Sequence, residues 1–157
     1  MRRQDLRLQQ LALEKWLRQA ASEGVAATLT FKQRLDGKPL TRDIAQATIT
    51  HYLHRLDRIA FGRRNKSQVS AIAVREGGTL PHQKHLHYHL ALPTPPNYSA
   101  EDWRSYVLRT WPVLDWASPI QNRFELIRDS GWLSYMLKLR DKSDFLEAMD
   151  FENFRLN

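Results

Sequence analysis

The sequence predicts an α+β fold: a central antiparallel sheet of about four to five strands with helices packed on it. Three observations carry this expectation. Segments of helical periodicity alternate with short apolar runs in the order α-β-α-β-β-α-β-α. A connection of about thirty residues, most of it one long helix, separates the first two strands. Cap and turn residues stand at the joins, with no repeat, low-complexity stretch or linker between them. A chain of 157 residues suits one domain, expected over 1–157 with its core at about 25–142. A helix at 4–21 and a tail at 143–157 are appended to that core.

The elements follow in order. Leu6, Leu13, Trp16, Leu17 and Ala20 recur at helical spacing, which predicts the helix over 4–21, and Gly24 ends it. Residues 25–33 alternate as a strand, with Leu29 and Phe31 on one face and Thr28 and Thr30 on the other. Asp36-Gly37-Lys38-Pro39 is a turn. Thr41 caps a helix over 41–61, on which Ile44, Thr48, Tyr52, Leu56 and Ile59 build an inward stripe; Gly62 closes it. Strands are expected at 68–75 and 84–92, joined through Gly77-Gly78 as an antiparallel pair with a long connection. Ser99 caps a helix over 99–111 and Pro112 stops it. A fourth strand is expected at 121–128 with Phe124 and Leu126 inward. Ser130 caps a helix over about 131–140, and the tail makes one more turn at 145–149.

Charge narrows the class of partner. Lys plus Arg number 24 against 17 Asp plus Glu, a net +7, and the pI is near 10.0. Residues 1–66 hold fourteen basic and six acidic residues, while 129–157 are net acidic. Such an excess is the footprint of a polyanion binder. The absence of cysteine excludes disulfides, thiolate zinc sites and cysteine nucleophiles, and fits a reducing cytoplasm. No apolar run is long enough for a membrane span, and no secretory leader is evident.

Four of the six histidines fall within eight residues: His82, His85, His87 and His89. On a strand, His85, His87 and His89 share one face while Leu86, Tyr88, Leu90 and Leu92 point into the core. Imidazoles two residues apart can grip one divalent ion. Glu76 ends the preceding strand, and pairing of the two strands brings it to the same face. Two His and one carboxylate, with open positions for water and phosphate, suit Mn²⁺ or Mg²⁺ at a phosphoryl-transfer site. Downstream, Tyr135 and Lys138 are i and i+3 on the expected helix and so share a face.

Taken together, His87-Tyr88-His89, the carboxylate before it and the downstream Tyr135-x-x-Lys138 resemble the HUH endonucleases. Within that superfamily they resemble the single-tyrosine initiators of rolling-circle replication in plasmids and single-stranded DNA viruses and phages. Ala27-Thr28-Leu29-Thr30-Phe31 is similar to the family's first motif, and Leu90-Ala91-Leu92 continues the strand as its second motif does. The resemblance spans about 25–142 and implies an HUH/ferredoxin-like (RRM-like) sheet. It implies a sequence-guided nickase of single-stranded DNA: His87, His89 and Glu76 hold a divalent cation, and Tyr135 attacks the phosphate. Lys138 holds a phosphate oxygen. The products are a 5′-phosphotyrosine and a free 3′-hydroxyl.

The tyrosine follows the histidine strand, unlike in conjugative relaxases, and Lys138 stands where single-tyrosine transposases usually carry Gln. His85-Leu86-His87 has the same form as the preferred pair; His85 is then a group behind the ligands or a DNA contact. Lys32, Arg34, Arg55, Arg58, Arg63, Arg64 and Lys66 are expected to grip the DNA backbone, and Trp132 to stack a base or pack. The implied partners are single-stranded origin DNA, extended or as a hairpin, and a host helicase and polymerase, since the chain lacks a phosphate-binding Gly-x-x-x-x-Gly-Lys-Ser/Thr motif. A DNA- or RNA-binding module of the same fold, a transposase or relaxase relative, and a metal-dependent hydrolase with a structural Tyr135 are the alternatives.

Overall fold

Two capped helices and four strands of the computed structural model build one sheet with a layer on it. The structure describes residues 11, 15, 23–128 and 145–155. The helices expected at 4–21 and 131–140, with Trp132, Tyr135 and Lys138, lie outside the described residues.

Strand β1 (Gly24–Thr30) is followed by a ribbon of two very short strands, β2 (Arg34–Leu35) and β3 (Lys38–Pro39). The ribbon was expected only as a turn. Asp36 (φ 50°) and Gly37 (φ 79°) both have positive φ, as an Asp-Gly hairpin turn demands. Helix α1 (Arg42–Phe61) begins where Thr41 Oγ1 accepts the Ile44 N–H (3.2 Å) and ends where the Gly62 N–H donates to the Arg58 carbonyl. Strands β4 (Ile72–Glu76) and β5 (His87–Pro93) follow, then α2 (Ala100–Thr110). Ser99 Oγ accepts the Asp102 N–H to start α2, and Pro112 sits in a 3₁₀ turn, Trp111–Val113, that ends it. β6 (Arg123–Ile127) completes the sheet, and a helical turn α3 (Phe145–Ala148) opens the tail.

The sheet order is β4-β5-β1-β6, every neighbour antiparallel. With helices after β1 and β5 this is the ferredoxin-like βαββαβ arrangement. Each strand is shorter than its sequence pattern suggested. Residues 68–70 precede β4 without pairing to β5, and Ala71 bridges on the outer edge to Arg155 in the tail. Lys84 and His85 precede β5, because their backbone folds against Gly77 and Gly78.

Alternation divides the sheet into two faces. Val25, Ala27, Leu29, Ala73, Tyr88, Leu90 and Leu92 face α1 and α2 and meet Ile49, Tyr52, Leu53, Leu56, Trp103 and Val107 in one core. Phe31, Tyr52 and Tyr88 cluster edge-on around one another and Trp111, at 5.2–5.9 Å between centroids. Phe124 and Leu126 pack on this core as expected. Ala26, Thr28, Thr30, Ile72, Val74, Glu76, His87, His89, Ala91 and Arg123 take the opposite face.

The tail is fastened to the outer edge of β4. Ala71 and Arg155 exchange backbone hydrogen bonds (2.7 and 2.8 Å), and Asp150 N–H donates to the Ala73 carbonyl. The buried Asp150 carboxylate accepts from Tyr88 Oη (2.9 Å), Gln46 Nε2 (2.9 Å) and Asn153 Nδ2 (2.7 Å). Tail, helix and histidine strand are thereby knotted at one polar point inside the core.

Candidate metal centre

β5 alternates between two jobs. Tyr88 passes through the sheet into the core, where burial first and then the Asp150 carboxylate push its phenol far above the usual value. His87 and His89, on either side of it, emerge on the opposite face. Register then selects their neighbours: Glu76 stands opposite His87 on β4, Thr30 opposite His87 on β1, and Thr28 opposite His89. Cross-strand Cβ atoms lie about 5 Å apart, close enough for one shared contact.

Glu76 Oε2 lies 3.0 Å from His89 Nε2 and 3.2 Å from His87 Nε2. One ligand atom from each of the three lies within 4.8 Å of the others. All three side chains are largely buried, with 10–15 % exposure. The rings are held from behind. His87 Nδ1 is 2.9 Å from the His85 carbonyl, which can only accept, so His87 carries its proton on Nδ1 and turns Nε2 to Glu76. His89 Nδ1 is 3.2 Å from Thr28 Oγ1, which holds that ring from behind. Two ring nitrogens and a carboxylate oxygen thus face one another in an arrangement that could hold a metal ion. The donor set, two imidazoles and one carboxylate on a half-buried face, fits a divalent ion with coordination positions left for water or substrate.

Sequence spacing left His85-His87 and His87-His89 both open. The geometry joins His87 and His89 to Glu76. His85 lies outside β5, exposed, bridged to Gly78, and its backbone carbonyl rather than its ring supports His87. Gly77 makes this bend possible. Its φ is 80°, and a Cβ there would sit 2.5 Å from the carbonyl oxygens of both Lys84 and His85.

The triad lies in a cleft of about 700 Å³ whose lining includes Thr28, Thr30, Lys32, Lys84, His85, Ile120, Gln121 and Arg123. Lys84 Nζ is 4.0 Å from Glu76 Oε1. Arg123 pairs with Thr28 on β6, so it stands in the same row of the sheet as His89, two strands away. Thr30 holds the opposite wall: its N–H donates to Asn122 Oδ1 (2.8 Å) and its hydroxyl to the Ile120 carbonyl (2.6 Å). Lys84, Arg123 and the 118–122 wall were not singled out in the sequence. The β1-β6 pairing is the only signal that would have found Arg123, and register is not written in local spacing.

The expected DNA contacts divide by place. Lys32 reaches the cleft and donates to the Asp115 carbonyl (2.8 Å). Arg34 is exposed on the β2–β3 ribbon and donates to the Gly37 carbonyl. Arg55 and Arg58 lie on α1, over the opposite face of the sheet, and line a separate hollow with Val113–Trp116. Arg63 and Arg64 follow α1, and Lys66 lines a hollow with Pro93–Pro96. That is the far end of β5, roughly 20 Å from the triad at ~3.3 Å per residue. The structure thus brings Lys32 to the cleft of the triad and leaves the Arg55–Lys66 group away from it.

A scan for protein families, a search of curated proteins and a search of solved structures each return no match for the chain. Among the described residues no helix is long and apolar enough to cross a membrane.

Proposed function

We propose that the chain is a divalent-metal-dependent nickase and strand transferase acting on single-stranded DNA, in the manner of a single-tyrosine rolling-circle initiator in the cytoplasm. The observation that carries the reading is the convergence of Glu76 Oε2 with Nε2 of both His87 and His89 on the floor of a cleft edged by Lys32, Lys84 and Arg123. Glu76, His87 and His89 would hold the ion. Mn²⁺ matches two imidazoles better than Mg²⁺, which favours all-oxygen shells. When bound, such an ion supplies Lewis-acid polarisation of a phosphoryl oxygen.

The chain's own residues supply the rest. Lys84 and Arg123 place positive charge where a phosphodiester would lie. The Tyr135 oxygen bonds to phosphorus as the bond to the 3′-oxygen breaks. The phenolic proton ends on the 3′-hydroxyl, and the phosphodiester becomes a 5′-phosphotyrosine of similar energy, so the same atoms can run in reverse and rejoin the strand. Lys138 is assigned to a non-bridging phosphate oxygen. The choice of Tyr135 among five tyrosines is supported by the fate of the other four. Tyr52 and Tyr88 are buried in the core with phenols pushed far upward by desolvation. Tyr98 donates to the Ile59 carbonyl, and Tyr106 packs beneath Arg109. None of the four lines the cleft.

The test is incubation with Mn²⁺ and a library of single-stranded oligonucleotides, read on a denaturing gel. The expected product is a covalent protein–DNA adduct that disappears with chelator and in Tyr135→Phe. Cleavage without an adduct identifies a hydrolase, and a mobility shift without cleavage identifies a binding module; either result rejects the nickase.

A further inference from the structure

We infer that the outer face of α1 is a second nucleic-acid surface, separate from the cleft, that takes double-stranded DNA by its phosphate backbone. From residue 51 to the end of α1, the exposed positions are His51, His54, Arg55 and Arg58. Their spacing of three, one and three puts them on a single stripe. Arg63 and Arg64 extend the positive charge beyond Gly62, and both are exposed.

The stripe is not neutralised. Asp57, the acid within it, turns aside: its two oxygens take Arg155 Nη1 at 2.8 and 2.9 Å, and Oδ1 also accepts the Val69 N–H. Among the described residues, Asp115 is the one acid lining the adjacent hollow. Among the described residues, neither Arg55 nor Arg58 has a side-chain ion-pair or hydrogen-bond partner. The helix dipole accounts for Arg58 in the last turn. It does not account for His51, His54 or Arg55 further back.

Position separates this surface from the triad. α1 covers the core face of the sheet, and Glu76, His87 and His89 open on the other. A strand lying in the cleft has the whole sheet and its helical layer between it and Arg55. Two features favour duplex over single strand. Among the described residues the hollow beside the stripe offers exposed Val113, and the one Trp that lines it, Trp116, is half-buried against the core. Single-strand binding draws much of its affinity from stacking on such rings. A rigid helix presenting polar side chains over roughly 10 Å, from His51 to Arg58, matches about three base pairs of duplex backbone at ~3.4 Å each.

The inference goes beyond the nicking reaction and is tested without it. A labelled 20-base-pair duplex is titrated with the full chain by fluorescence anisotropy, in metal-free buffer at several salt concentrations. The Arg55→Glu/Arg58→Glu variant is expected to bind at least tenfold more weakly. Its log–log salt slope is expected to be shallower by about two, the number of phosphate contacts removed. Because both side chains are exposed, the melting temperature should hold; if it drops, Arg55→Gln/Arg58→Gln replaces the variant and must show the same slope change. Equal duplex affinity in wild type and variant overturns the inference. So does a loss that appears only with single strands of the same sequence, or only with phosphatidylserine vesicles. A wild type that fails to form the Tyr135 adduct would reject the nickase and leave this result standing.

Discussion

The two faces of the four-stranded sheet are built from the same strands by alternate residues, yet they differ in what they tolerate. On the helix side, β1 and β5 contribute Val25, Ala27, Leu29, Tyr88, Leu90 and Leu92, all completely buried. On the other side the same strands contribute Thr28, His87 and His89, linked through His89 and Glu76, and Thr30, which bonds to Asn122 and Ile120. One face is held by dispersion and burial, which are insensitive to direction. The other depends on where each ring nitrogen points. A strand that serves both has its register fixed by the core and used by the site: a slip of one residue would exchange Tyr88 with a histidine.

That comparison can be broken one face at a time. Leu90→Ala, on the core side, should lower stability by about 3 kcal/mol while leaving the metal affinity of the folded protein unchanged; chemical denaturation and calorimetric Mn²⁺ titration measure the two separately. A large fall in metal affinity would mean the faces are not independent. His89→Ala, one residue away, should do the reverse, reducing Mn²⁺ affinity by at least about a hundredfold, beyond the 10–100-fold typical of supporting groups, with little change in unfolding midpoint. Thr28→Val removes only the support behind His89 and should weaken Mn²⁺ binding by roughly tenfold. An unchanged affinity would show that Thr28 merely packs.

The smallest effect is confined to alkaline solution. The Tyr88 phenol is raised in the folded protein above its ordinary value of 10.0, so its contribution is fully present below that pH and is lost as pH rises beyond it. Tyr52 shifts in the same direction. Melting temperatures should therefore fall above about pH 10, and Tyr88→Phe should flatten part of that decline while being less stable than wild type at neutral pH.

The sequence made some of this legible and hid the rest for physical reasons. α1 could be placed because Thr41 and Gly62 are local signals at its two ends, and α2 because Ser99 caps it. The core side of β5 was readable from the alternation of Leu86, Tyr88, Leu90 and Leu92. Glu76, His87 and His89 could be grouped because β4 and β5 are consecutive and antiparallel. Arg123 could not, because it meets Thr28 only through a pairing of strands nearly one hundred residues apart. The β2–β3 ribbon was missed although Asp36-Gly37 is a strong hairpin signal, since its flanking strands are only two residues each. The tail was read as a simple turn because Asp150, Asn153 and Arg155 have no periodicity. Their role comes from partners on α1 and β5.

The tail's pairing also imposes an order on assembly. Ala71 and Arg155 meet across more than half the chain, so the outer edge of β4 remains open during synthesis until Arg155 has left the ribosome. Until then Tyr88 and Gln46 wait for Asp150, and Asp57 waits for Arg155, while β4, β5, β1 and β6 are already free to pair. A nascent chain in that interval presents an unprotected strand edge on β4, the strand that carries Glu76. Contacts of such long range are slow to form, so that interval is when another newly made copy could pair with the exposed strand.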